Sequence, residues 1–118
     1  MRKRVEVVML TYTKDEKIFC MTCNALRSLF QSEQQIDEQF VVTLVETGNE
    51  TQLSYFHDAP GVPASQLQLV YPNEPFNYNK FLNHGFRAIG DGEYVVIANN
   101  DLLFKQDWFK EIQRAMIR

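Results

Sequence analysis

The residues best equipped for chemistry in this chain cluster just after its apolar runs. Thr11, Tyr12 and Thr13 follow the first run; Glu46, Thr47, Gly48 and Asn49 follow the second. The third leads into Tyr71-Pro72-Asn73-Glu74-Pro75-Phe76-Asn77-Tyr78-Asn79-Lys80, and the fourth into Asn99-Asn100-Asp101. Hydroxyls, amides and isolated carboxylates in this arrangement suit a nucleotide together with a divalent cation. Glu46 can accept a hydrogen bond from a base or ribose, and Asp101 offers a hard oxygen ligand. Mg²⁺ or Mn²⁺ needs only one or two protein carboxylates when a diphosphate supplies the remaining oxygens. Lys80 opens a helical segment, where free backbone N–H groups and the helix dipole favour an anion. Asn and Asp are equally the ordinary residues of solvated turns, so position at a strand end leaves both readings open.

The elements that must bring these residues together follow from hydrophobic spacing. Residues 5–10, 40–45, 66–71 and 94–98 are apolar and rich in β-branched side chains. The first, second and fourth are nearly continuous, as expected of strands covered on both faces in a parallel sheet. Between the first two, Ile18, Met21, Ala25, Leu29 and Phe30 recur at helical spacing behind Lys14 and Asp15. The connection over residues 50–65 has room for one helical turn at Leu53, Tyr55 and Phe56 before Pro60-Gly61 and Pro63 break it. Residues 77–89 form the next helix, with Phe81, Leu82, Gly85, Phe86 and Ile89 on one side, and Gly90-Asp91-Gly92 stops it. A last helix over 106–117 carries Trp108, Phe109, Ile112, Met116 and Ile117 on one side. Strand and helix therefore alternate, which predicts an α/β domain: an open, mostly parallel sheet with helices on both faces, joined by right-handed crossovers. Ligands of such sheets bind at the carboxyl ends of the strands.

Composition narrows the function. One domain over residues 1–118 accounts for all 118 residues, with no repeat and no linker. The net charge of −3 and the 23% of charged residues leave no broad basic surface, which argues against nucleic acid as a partner. The longest strictly apolar stretches fall far short of the roughly 20 residues of a spanning helix, so no transmembrane segment is predicted. Met1-Arg2-Lys3-Arg4 leads into a mixed strand with Glu6 rather than an apolar signal region. With two cysteines, a reducing, cytoplasmic setting is the expectation.

Several common chemistries lose their support. Neither G-x-G-x-x-G after the first strand nor G-x-x-x-x-G-K-[ST] anywhere is present. Cys20-Met21-Thr22-Cys23 falls inside a helix rather than at its start, unlike a thioredoxin-type pair, and lacks the second pair of a zinc site. His57 and His84 have no metal-spaced partners, and His84, inside a helix pattern, reads as a surface or structural residue.

At the same strand ends the sequence resembles the family 2 glycosyltransferases of GT-A fold, in their nucleotide-sugar-binding half. Residues 5–13, Val-Glu-Val-Val-Met-Leu-Thr-Tyr-Thr, are similar to that family's opening strand. Val45-Glu46-Thr47-Gly48-Asn49 falls where the family has its acidic turn, whose first acid meets the base. Pro75-Phe76-Asn77-Tyr78-Asn79-Lys80, Asn83, and residues 92–101 ending in Asn99-Asn100-Asp101 resemble the rhamnosyltransferase-like branch. There Asn-Asn-Asp or Asn-Asp-Asp replaces the Asp-x-Asp that binds metal and diphosphate. Gln106-Asp107-Trp108-Phe109 is similar to the helix start that follows this motif, so the resemblance runs from Val5 to about Ile112.

The resemblance implies a nucleotide-binding set of Thr11, Tyr12, Glu46, Asn77, Lys80, Asn83 and Asn100, and a metal pair, Asp101 and Asn99, for Mn²⁺ or Mg²⁺. The implied reaction is transfer of a sugar from a nucleoside-diphosphate donor to an acceptor, a glycan or another hydroxyl compound. Departures from the pattern are specific. Glu46 stands where the family has Asp, Thr47 where it has a second acid or amide, and Asn99 where a carboxylate is usual. The acceptor-side half of the family, with its catalytic base, has no counterpart after Glu111, so the expectation is a donor-binding half that is truncated or completed by other sequence. A half of this kind leaves apolar surface and a strand edge uncovered, which predicts a homo-oligomer, a dimer, or a monomer prone to self-association. Two other readings fit the same residues: a non-catalytic nucleotide-sugar-binding or assembly module of the same fold, and an unrelated small α/β protein whose strand-end residues are plain turns.

Overall fold

The computed structural model of the chain describes residues 3–48 and 55–117. Met1, Arg2, Asn49 and Leu53, each named above, lie outside the described residues. Four strands and three α-helices alternate along the chain: β1 (Lys3–Thr11), α1 (Glu16–Ser32), β2 (Glu38–Glu46), β3 (Leu67–Val70), α2 (Tyr78–Ala88), β4 (Tyr94–Asn99) and α3 (Trp108–Ile117). The strands lie in the order β3-β2-β1-β4, and every pairing is parallel. This is the α/β arrangement that the hydrophobic spacing predicts. The connection between β2 and β3 is one difference: residues 55–58 and Ala64–Gln66 form 3₁₀ turns, and no α-helix is present there among the described residues. Pro60 and Pro63 remove donors at the spacing a longer helix would need, while Phe56 still buries itself against Phe19, with ring centroids 4.6 Å apart.

Side-chain alternation divides the sheet into two faces. Val5, Val7 and Met9 of β1, with Phe40, Val42 and Leu44 of β2, turn toward α1 and α3. There they meet Ala25, Leu26, Leu29 and Phe109, all at most 2% exposed. Phe40 stacks on Trp108 at 5.4 Å and meets the edge of Phe109 at 5.9 Å. Two hydroxyls of α1 fasten the incoming segment: Ser28 accepts from the Phe104 backbone N–H and Ser32 from the Trp108 indole. On the other face Val8 and Val45 pack against Phe81 and Leu82 of α2. Gly85 brings that helix close, since a Cβ there would stand 2.6 Å from Val8 Cγ1.

The cover of this second face stops short of β4. Val95 and Ile97 share it with Val8 through their register with β1, yet they are 49% and 51% exposed. Both helix starts that matter for the strand ends are capped by side chains. Asp15 accepts from the Ile18 N–H ahead of α1, and Asn77 accepts from the Lys80 N–H ahead of α2. No helix among the described residues is long and apolar enough to cross a membrane.

Candidate functional site

The carboxyl ends of β2, β1 and β4 lie side by side, and register decides which of their polar residues share a face. Thr11 pairs with Glu46, and Leu10 with Asn99. Glu46 and Thr11 therefore continue the face packed on α1, and Asn99 lies on the α2 face with Leu10. Asn100, one residue on, reaches the α1 face again, because its Nδ2 donates to Thr11 Oγ1 at 3.2 Å and to Thr22 Oγ1 at 3.0 Å.

On the α1 face the polar side chains are buried and engaged. Thr11, Thr13, Thr22 and Glu46 are each at most 2% exposed. Glu46 Oε2 accepts from the backbone N–H of Thr13 at 3.0 Å and of Gly48 at 3.1 Å. A second bond joins the same segments, from the Thr47 N–H to the Thr11 carbonyl. Glu46 thus ties the loop after β1 to the loop after β2. The Tyr12 ring lies over Gly48, so a Cβ on residue 48 would push that exposed ring aside. Tyr12 nevertheless leaves 58% of its surface open.

On the α2 face the same strand ends open into a groove of about 160 Å³ lined by Leu10, Tyr78, Leu82, Ile97, Ala98, Asn99, Asn100 and Asp101. Leu10, Leu82 and Ile97 supply an apolar floor, and Tyr78, 53% exposed, supplies an aromatic wall. Asp101 is exposed and makes no ion pair among the described residues, and it is the one carboxylate in the lining. No group of three or more His, Cys, Asp or Glu that could hold a metal by itself exists among the described residues. The donor set is instead one carboxylate and the Asn99 amide on a single turn, which fits a hard cation that takes its other oxygens from a bound diphosphate.

The segment before α2 is held by charge. Glu74 accepts from His84 Nε2 at 2.6 Å and pairs with Lys80 Nζ at 3.3 Å. The His84 hydrogen bond, helped by Lys80 and opposed by partial burial, holds the Glu74 carboxyl below the usual glutamate range. Asn77 spends its side-chain oxygen on the helix cap, while Asn83 points from the exposed side of α2. Of the residues flagged by sequence, the structure brings Thr11, Glu46 and Asn100 together inside and Asn99 and Asp101 together on the groove. Tyr12, Lys80 and Asn83 stand exposed around the strand ends. Cys20 and Cys23 are free thiols within α1, and burial pushes the Cys23 thiol up.

Three participants escape a reading of strand ends alone. Thr13 and Gly48 matter through backbone N–H groups, which no residue type announces. Thr22 sits mid-helix, and its one sequence signal is a hydroxyl among the largely apolar residues of the buried face of α1, beside Cys23, Ala25 and Leu26.

No protein-family model matches the sequence, and no curated protein matches it. Among solved structures the fold is similar to that of a protein from Desulfovibrio desulfuricans G20 that carries the provisional name nucleotide-diphospho-sugar transferase. The TM-score is 0.59 at 13% sequence identity, over 99% of this chain and 54% of that one. At that identity the likeness is one of fold, and the chain spans about half the length of the protein it matches.

Proposed function

We propose that this chain binds a nucleoside-diphosphate sugar at the groove between α2 and the end of β4, as the donor-binding part of a family 2-like glycosyltransferase. The observation that carries the reading is the turn Asn99-Asn100-Asp101. It places one unpaired carboxylate and one amide on the open side of a parallel sheet, at the end where such sheets bind ligands. The fold shared with the Desulfovibrio protein supports the same substrate class. The groove is smaller than the roughly 300 Å³ from which enclosed ligand sites start. It therefore takes one part of a nucleotide, and the rest lies over the open surface toward Tyr12, Lys80 and Asn83.

In this reading Asp101 and Asn99 hold Mn²⁺ or Mg²⁺ jointly with the diphosphate. When bound, the cation neutralises the charge that develops on the departing diphosphate. The protein's own contribution is orientation. Leu10, Leu82 and Ile97 exclude water beneath the ligand, Tyr78 offers a ring to stack on, and the Glu46 junction keeps the loop that carries Tyr12 in place.

A second reading is favoured by the lining itself. Asp101 is its one carboxylate, so no second acid stands ready to take the proton of an acceptor hydroxyl. Binding without transfer, as in a nucleotide-sugar-binding or assembly module, follows if these residues are the whole site.

Calorimetric titration with UDP, dTDP and GDP, each with and without Mn²⁺, tests both readings on the wild type and on Asp101→Ala. Manganese-dependent binding that weakens at least about tenfold in the variant is the expected result. Silence from all three nucleotides overturns the nucleotide reading. Release of free sugar from the matching nucleotide sugar, read by chromatography, separates turnover from binding alone.

A further inference from the structure

Counting protons on the buried hydroxyls beneath the groove gives a single consistent arrangement. The Thr22 hydroxyl donates to the Ile18 carbonyl at 2.9 Å. Its proton is then committed, so in the 3.2 Å contact with Thr11 the Thr11 hydroxyl donates and Thr22 accepts. Thr11 has now spent its own proton, so in the 3.2 Å contact with Thr13 the Thr13 hydroxyl donates. Each hydroxyl offers one proton and two lone pairs. Thr11 and Thr22 therefore keep one lone pair apiece, and the two protons of the Asn100 Nδ2 group fill them at 3.2 and 3.0 Å. Every proton and lone pair on Thr11 and Thr22 is used.

The relay also fixes which way the Asn100 amide faces. With Nδ2 turned inward the five contacts of Thr11 and Thr22 hold five protons, whereas a flipped amide would leave three hydroxyl protons for the same five contacts and set oxygen against oxygen in two of them. Buried polar networks of this kind are costly when half satisfied and hold one conformation when complete. The network joins three elements, α1 through Thr22, β1 through Thr11 and the turn after β4 through Asn100.

We propose that Thr22 and Thr11 are positioning residues for the Asn99–Asp101 turn: a hydroxyl relay from α1 through β1 grips Asn100 and so aims its neighbours, Asn99 and Asp101, into the groove. Asn100 then serves the site through the turn it anchors. The proposal rests on the reading of that turn as the donor site, and the experiment separates the two.

The relay is read first in the free protein, by nitrogen-edited NMR. In the wild type the Asn100 side-chain NH₂ exchanges with solvent at least about tenfold more slowly than that of exposed Asn83, and the Asp101 backbone is ordered. Thr22→Val, which keeps the shape and removes the hydroxyl, abolishes that protection and loosens Asp101; Thr22→Ser restores both. Asn100→Ala loosens Asp101 in the same way and serves if Thr22→Val does not fold. Manganese-UDP affinity then falls about fivefold in Thr22→Val, the size of one lost hydrogen bond, and stays within about twofold in Thr22→Ser. A wild-type Asn100 NH₂ that exchanges like that of Asn83, or a Thr22→Val protein whose Asp101 order and UDP affinity are unchanged, overturns the proposal. Protection that follows the hydroxyl in a protein binding no nucleotide supports the relay and overturns the nucleotide reading instead.

Discussion

At the carboxyl ends of the strands, one sheet presents two surfaces built from similar residues to different effect. On the α1 face, Thr11, Thr13, Thr22 and Glu46 are buried; the threonine hydroxyls bond to one another and to Asn100, and Glu46 Oε2 takes two backbone N–H groups. On the α2 face, Asn99, Asp101 and Tyr78 line an open groove. In the turn after β4 both asparagines border the groove, but Asn100 turns its amide Nδ2 to the hydroxyls of the α1 face. Polar residues at a strand end do not form one class. Alternation sorts them into those that hold loops in place and those left for a ligand.

The sharpest way to break the comparison is to remove the inner carboxylate. Glu46→Ala leaves the Thr13 and Gly48 amides without their acceptor, and each unsatisfied buried donor costs about 1–3 kcal/mol. A loss of about 3 kcal/mol in urea unfolding is expected, with the loops after β1 and β2 parting. A loss under about 1 kcal/mol would mean that water replaces the carboxylate and that the inner face is not the rigid one. Asp101→Ala is the mirror experiment. Its side chain is exposed, so stability stays within about 0.5 kcal/mol while nucleotide affinity drops tenfold or more. Loss of stability with retained binding would exchange the roles of the two surfaces.

How far the sequence carries this division can be judged from particular residues. The element order was legible because Val5 to Leu10 and Phe40 to Val45 are continuous apolar runs and the helices repeat at threes and fours. The list of strand-end residues was legible for the same reason. Which side each of them takes was not, because face assignment depends on register, and register is a property of paired strands. Glu46 reads as a ligand-facing acid in sequence and is wholly buried in the structure, where its Oε2 accepts from the backbone amides of residues 13 and 48. Thr22 was invisible as a participant because residues 11, 22 and 100 meet only after α1 has packed on the sheet.

Apolar side chains stand open on both sides of the sheet beyond the groove. Val95 and Ile97 stand about half exposed on β4, and Ile112 and Met116 of α3 are 43% and 61% exposed. Apolar surface beside an uncovered strand edge promotes association between copies. Self-association is therefore expected in sedimentation at high concentration, and Ile97→Lys should reduce it while leaving the unfolding midpoint nearly unchanged. A monomer at every concentration in the wild type would count against that expectation and leave Ile97 as floor of the groove alone.

At the outer rim, charge does what hydroxyls do inside. Glu74 clasps the segment before α2 to His84 and Lys80, and the His84 hydrogen bond is the main reason its carboxyl sits below the usual range. A carboxyl whose value is lowered on folding adds stability that is complete above its unfolded value of about 4.3 and lost as pH falls through the lower folded value. Wild type should therefore exceed Glu74→Gln in stability at neutral pH, and the gap should close as pH drops below about 4.3. Urea unfolding of both proteins across that range reads the gap. The Asn100 side-chain NH₂ should keep its protection in Glu74→Gln at neutral pH, because the relay contains no ion pair to lose. If the variant instead frees Asn100, the rim and the inner relay form one cooperative unit, and the division between the two faces does not hold.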